Sequence, residues 1–184
     1  MMSVADWHEK LLEAALGMHQ RHSDFRFALR MRDQGESGRM ARGYWFTGSD
    51  DYLFMGLFRP NDPKNKTRTV GYCVGFGDLG EPISCYLSVV YKGVTDPATR
   101  KVHERLVAGL GHFTMKAPDN YKHYYLAPEP LVSFQEFLTK DYPRFREILS
   151  AEGAERDFLI TPNEFKDMLD RIASIRAGLK GSAS

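Results

Sequence analysis

The sequence predicts an α+β fold: one domain over residues 1–178, with a mainly antiparallel sheet of about five to six strands and N-terminal and C-terminal helices packed on it. Three observations predict it. Between Phe25 and Tyr91, five runs alternate in side-chain character with period two and are broken by Gly, Pro, Asn and Asp, which is the pattern of consecutive hairpin strands. Before and after that stretch, apolar residues recur at helical spacing. Helix-start signals flank the strand-rich part at Ser3-Val-Ala-Asp6, Asp96-Pro97, Ser133-Phe-Gln-Glu136, Asp141-Tyr-Pro143 and Thr161-Pro-Asn-Glu164.

Taken in order, Ser3 caps a first helix and Asp6 sits at its positive end, while Trp7, Leu11, Leu12, Ala15 and Met18 form its apolar face. In Phe25–Arg32, Phe25, Phe27, Leu29 and Met31 point one way and Arg26, Arg30 and Arg32 the other, a half-buried strand with a basic outer face. Tyr44–Phe46, Tyr52–Phe58, Val70–Phe76 and Ile83–Tyr91 complete the strand set. In Val70–Phe76, large residues oppose Gly71, Cys73 and Gly75, which either accommodate aromatics from a neighbouring strand or leave a hollow. Asp96 caps the next helix, whose stripe is Val102, Leu106 and Leu110; Phe113–Lys122 reads as a loop and Tyr124–Ala127 as a short strand. Capping boxes at Ser133–Glu136 and Thr161–Glu164 open later helices, the last burying Phe165, Met168, Leu169, Ile172 and Ile175. Residues 179–184 read as a flexible tail or linker.

The chain of 184 residues is long enough to bury a core without disulfides or metal. Its 25 Lys and Arg against 24 Asp and Glu give no global field, so an electrostatic partner must be read by a local patch. No run approaches the roughly 20 apolar residues of a membrane span, and no secretory signal pattern opens the chain, so a cytoplasmic location without membrane contact is expected. In that compartment Cys73 and Cys85 are expected to be buried, reduced thiols.

Gly75-Phe-Gly-Asp-Leu-Gly80 matches G-x-G-x-x-G, but a strand rather than a helix follows it, so a hairpin turn is expected and no cofactor. Asp157, Glu164 and Lys166 could suggest a metal nuclease, yet Glu164 and Lys166 fall in one helical turn two residues apart and do not face each other. His19 and His22 lack a third ligand, no metal is expected, and no nucleophile motif occurs. The informative set is basic and aromatic. Between residues 24 and 68, nine Lys or Arg stand against six Asp or Glu. Arg26, Arg30, Arg32, Arg59, Lys64, Lys66 and Arg68 are the candidate phosphate contacts, and Tyr44, Trp45 and Tyr52 the candidate base pocket. Solvated arginines that guard a sheet edge would show the same pattern.

At Gly43-Tyr-Trp-Phe-Thr-Gly-Ser-Asp-Asp-Tyr-Leu, at Asp62-Pro-Lys-Asn-Lys-Thr and at the later Phe134-Gln-Glu-Phe-Leu, the chain resembles N-terminal regions of bacterial McrB-like restriction proteins. In that family such regions precede a GTP- or ATP-hydrolysing AAA+ motor and bind modified DNA, some by flipping a base. The resemblance therefore implies a DNA-recognition module of a restriction or phage-defence system, with methylated DNA and an AAA+ motor domain or subunit as partners. It makes Trp45, Tyr44 and Tyr52 pocket residues and Lys64, Lys66 and Arg68 phosphate contacts. No Walker motif lies within the 184 residues. The alternatives are a protein-docking domain that uses the basic strand and aromatic surface, and a nuclease built on Asp50, Asp51 or Asp62.

Overall fold

A computed structural model describes residues 2–30, 38–59, 70–116 and 120–181. The chain opens with α1 (Val4–Arg21). The sheet strands are β1 (Thr47–Gly48), β2 (Tyr52–Gly56), β3 (Val70–Phe76), β4 (Pro82–Val90), β5 (Thr114–Lys116) and β6 (Tyr121–Tyr125). Helix α2 (Pro97–Leu110) separates β4 from β5, and α3 (Pro130–Glu136), α4 (Tyr142–Ala151), α5 (Glu155–Phe158) and α6 (Pro162–Gly181) follow β6. Among the described residues every strand pairing is antiparallel, in the order β1-β2-β3-β4-β6-β5. The expected α+β fold is what the chain adopts, and no helix among the described residues is long and apolar enough to cross a membrane.

The helix-start chemistry is largely local. Ser3 Oγ accepts the Asp6 N–H while the Asp6 carboxylate takes the Ser3 N–H, closing a capping box. Asp96 accepts the Thr99 N–H at 2.8 Å ahead of Pro97. Thr161 and Glu164 exchange the same pair of bonds at the start of α6. Two expectations need correction. Ser133 lies inside α3, because Glu129 caps that helix one turn earlier, at 2.6 Å from the Val132 N–H, and Pro130 takes the first helical position. Asp141 makes no side-chain cap, because the chain stays helical from α3 into α4 through a wide π turn over Phe137–Asp141.

The strand readings hold from Tyr52 onward and fail before it. Phe25, Phe27 and Leu29 are buried as expected, but among the described residues of that run only Ala28 pairs with the sheet, opposite Gly56. The free edge of β2 is shared, with β1 taking Leu53 and Phe54 and residue 28 taking Gly56, so neither piece grows into a long strand. Tyr44–Phe46 follows a 3₁₀ turn at Met40–Arg42, where Gly43 at φ +90° reverses the chain. The Phe46 N–H then bonds His8 Nδ1 at 3.1 Å instead of a strand. Gly75–Gly80 is the expected hairpin turn, closed by Gly77 N–H to Glu81 O at 2.9 Å, with Gly80 at φ +80°. Within the loop expected over Phe113–Lys122, Thr114–Lys116 forms β5, and the strand expected at Tyr124–Ala127 begins earlier, as β6 over Tyr121–Tyr125, which pairs with it. The last helix continues to Gly181, past the expected tail boundary at 179.

The two sheet faces differ. Leu53 and Met55 of β2, Val70, Tyr72, Val74 and Phe76 of β3, and Cys85, Leu87 and Val89 of β4 belong to one large core, joined by α1 to α6. Among the described residues, the opposite face carries a small cluster made of strand residues: Phe54, Cys73 and Val90, with Tyr52, Tyr86 and Tyr121 against them. Cys73 and Cys85 are buried thiols outside any disulfide, and lie on opposite faces of adjacent strands.

Candidate nucleic-acid interface

The basic set is dispersed by its own hydrogen bonds. Arg26 donates to the Ile160 carbonyl at 3.0 Å and ties the chain ahead of α6 to the segment after α1. Arg30, 7% exposed, donates to the Gly48 carbonyl at 2.7 Å. The expected solvated basic strand face is thus a structural one at both positions, because backbone carbonyls left outside the ladder take the guanidinium protons. Arg59 is exposed and pairs with Glu164 at 3.1 Å. Arg32, Lys64, Lys66 and Arg68 lie outside the described residues.

The aromatic set divides. Trp45 is 1% exposed. Its indole N–H donates to Glu9 Oε2 at 2.6 Å, Arg176 lies over its ring at 5.5 Å, and Arg176 also bonds Glu9. This clamp holds α1 and α6 together and removes Trp45 from any stacking surface. Tyr44 is half-buried and donates to Asp50 at 2.8 Å; burial and that bond hold its phenol above the usual range. The nuclease candidates are likewise engaged in turns and ion pairs. Asp50 accepts from Tyr44, Ser49 donates to Asp51, and Glu164 caps α6. Lys166 pairs with Asp170 at 2.6 Å. Asp62 lies outside the described residues. Among the described residues, no three His, Cys, Asp or Glu side chains come together where they could hold a metal ion.

Tyr52 is the predicted pocket residue that reaches a cluster of its own kind. It faces Gly75 across β2 and β3, and Gly75 faces Ser84 across β3 and β4. Two residues along β4, on the same face, stands Tyr86, directly opposite Tyr125 of β6. Tyr86 and Tyr125 meet at 5.7 Å between ring centroids, and Tyr86 stacks on the buried His123 ring at 4.3 Å and 26°. Tyr121 continues the row at 6.3 Å from His123. Burial first, then the neighbouring Cys73, Tyr125 and Tyr52, push the Tyr86 phenol well above its usual range, so it stays a neutral hydroxyl.

The small residues of β3 explain the shape of this face. At Gly71 an added Cβ would lie 2.5 Å from Phe54 Cζ, so that glycine is the seat of the Phe54 ring. At Gly75 no ring intrudes; an added Cβ would meet Ser84 Oγ at 2.7 Å. Of the two outcomes left open for the small residues, accommodation is the one seen: the Phe54 ring fills the space at Gly71, and the Ser84 hydroxyl fills the space at Gly75, between Tyr52 and Tyr86. Tyr125, 47% exposed, and Ile83, 61% exposed, border it. What results is a neutral surface of rings and hydroxyls suited to a flat, uncharged, hydrogen-bonding group.

Sequence reasoning missed Tyr86, Tyr121, His123 and Tyr125. The alternation of β4 contained Tyr86, opposite in phase to Cys85 and Leu87. The Tyr121, His123, Tyr125 alternation is readable, but the expected boundary between a loop ending at Lys122 and a strand starting at Tyr124 divides it. Comparison with protein-family models, with curated proteins and with solved structures finds no match to this chain.

Proposed function

We propose that this domain is a nucleic-acid recognition module, a modified-DNA reader of a cytoplasmic restriction or defence system, that uses the tyrosine face of its sheet. One observation carries the reading: Tyr52, Tyr86 and Tyr125 share the sheet face to which no helix contributes an apolar residue among those described. Aromatic rings on a sheet face stack on bases with little sequence preference, at roughly 1–3 kcal/mol per base. The buried tryptophan and paired arginines shift the reading from the first aromatic run to this face, and Tyr52 is the residue common to both. The McrB-like resemblance supplies the modified-DNA target and the AAA+ motor partner, and both belong to the proposal.

The test is a binding panel of plain and methylated DNA, single-stranded and duplex, at two salt concentrations, with wild type and Tyr86→Ala. Binding that Tyr86→Ala weakens in a folded protein supports the proposal. Absence of binding to every nucleic acid at low salt overturns it and favours protein docking, for which the exposed Leu79, Ile83 and Tyr125 offer the apolar surface.

A further inference from the structure

We infer that the tyrosine face takes a run of unpaired bases in a single strand rather than an intact duplex. The inference rests on the nucleic-acid reading above and adds the form of the ligand. Breadth is the first argument. Tyr52 on β2, Tyr86 on β4 and Tyr125 on β6 span four adjacent strands, about 14 Å at a strand spacing of about 4.8 Å. A duplex major groove about 12 Å wide admits a helix or a two-stranded ribbon. A face of this breadth stays outside that groove, and its rings cannot reach paired bases. A single base cannot touch all three rings, so the array fits successive bases.

The chemistry of the lining agrees. Inside a duplex the base faces are covered by their stacked neighbours, and only edges are open to the groove. In a single strand the faces are free and aromatic side chains stack on them. The residues that share this face are Tyr52 and Phe54 on β2, Gly71, Cys73 and Gly75 on β3, Ser84, Tyr86, Ser88 and Val90 on β4, and Tyr121, His123 and Tyr125 on β6. None is Asp, Glu, Lys or Arg. Tyr52, Ser84, Tyr86, Tyr121 and Tyr125 are the members of this set that reach solvent, the other seven being buried, so the accessible part offers rings and a hydroxyl to heterocycles and leaves phosphates at its rim. Lys92, exposed just past the end of β4 with its N–H bonded to Asn120 O, stands at that rim beside Tyr121.

The experiment is fluorescence anisotropy with a short dye-labelled single-stranded oligonucleotide and with its duplex, on wild type, Tyr125→Ala, Tyr125→Phe and Tyr52→Ala. The melting temperature of each variant is measured alongside. Tyr125 is 47% exposed, so its truncation leaves the fold intact. The single strand is expected to bind at least about tenfold tighter than the duplex. Tyr125→Ala is expected to lose about 5- to 150-fold, the equivalent of 1–3 kcal/mol for one stacked base, and Tyr125→Phe to retain wild-type binding. The salt slope is expected to be shallow, about 0.7 for each phosphate met. Equal affinity for duplex and single strand, or a folded Tyr125→Ala and Tyr52→Ala that bind the single strand unchanged, overturns the inference and leaves the nucleic-acid reading standing. No binding to either form removes that reading itself.

Discussion

Lowering the pH from 7 to 5 should destabilise this domain through two histidines that the fold keeps neutral. His8 and His103 are fully buried. Desolvation, joined by Arg30 and Arg39, pulls His8 down to about 3, and desolvation joined by Arg100 pulls His103 down to about 4. His8 also needs its Nδ1 lone pair to accept the Phe46 N–H. His103 sits edge-on to Tyr91 and Phe158, and neither ring nitrogen has a hydrogen-bond partner among the described residues. In the unfolded chain both titrate near 6.5. The unfolded chain therefore binds protons that the native protein refuses, and stability present above about pH 6.5 is lost as the pH falls toward the folded values. Each histidine contributes a loss of about 2 kcal/mol between pH 7 and pH 5, about 4 kcal/mol together. That is a large part of the roughly 5–15 kcal/mol that holds a typical domain. Asp6 and Asp96, lowered by their capping bonds, act in a different window below pH 4. Asp141, raised by burial, works in the opposite sense. The measurement is urea unfolding at pH 7 and pH 5 for wild type and His103→Leu. The variant should lose about 2 kcal/mol less than wild type across that interval, a difference in which the carboxylate contributions cancel. Equal losses in the two proteins would refute the reasoning.

Three other outcomes follow from the geometry. Trp45→Ala should cost about 3–5 kcal/mol of stability, read as a fall in melting temperature, and a Trp45→Ala protein that melts like wild type would contradict the Glu9–Trp45–Arg176 clamp. Glu129→Ala should cost about 1 kcal/mol as the loss of a helix cap, while Glu136→Ala changes chemical unfolding by no more than about 0.5 kcal/mol; the reverse order would return the start of α3 to Ser133. Cys73 and Cys85 should both react slowly with a thiol reagent under native conditions, Cys85 the more so because burial holds its thiol above the usual range; fast labelling of either would place it at an open site.

The elements legible in the sequence are those fixed by short-range chemistry. Val70–Phe76 is a strand to the residue, and Ser3, Asp96 and Thr161 each cap the helix they were expected to start. The misread elements depend on distant partners. Phe25–Leu29 has the alternation of a strand, but the edge it would pair with is already partly occupied by Thr47–Gly48. Ser133 has the spacing of a capping box, yet its hydroxyl meets Tyr72 across the core, because Glu129 and Pro130 had already started the helix. A local motif specifies a bond that can form; whether it forms depends on which competitor arrives first along the chain or across the fold.

The same limit governs the site. Tyr44, Trp45 and Tyr52 are all aromatic, and three different burials separate them: a hydrogen bond to Asp50, a clamp between two helices, and a place on the face to which no helix among the described residues contributes an apolar side chain. That face exists because α1 to α6 all bury apolar residues against the other side of the sheet, and the side a helix chooses is a property of the whole chain rather than of any run within it. Alternation identifies which residues share a face, as Tyr121, His123 and Tyr125 do, without saying which face will be covered. The absence of charge along the tyrosine row was therefore readable only after the helices were placed. Read before that, Tyr86 and Tyr125 look like ordinary strand residues, and the run of cations from Arg59 to Arg68 in the sequence draws the functional reading toward phosphate. With the helices in place, the neutral rings become the better candidate for base recognition, and the arginines at 26 and 30 become part of what holds the sheet and helices together.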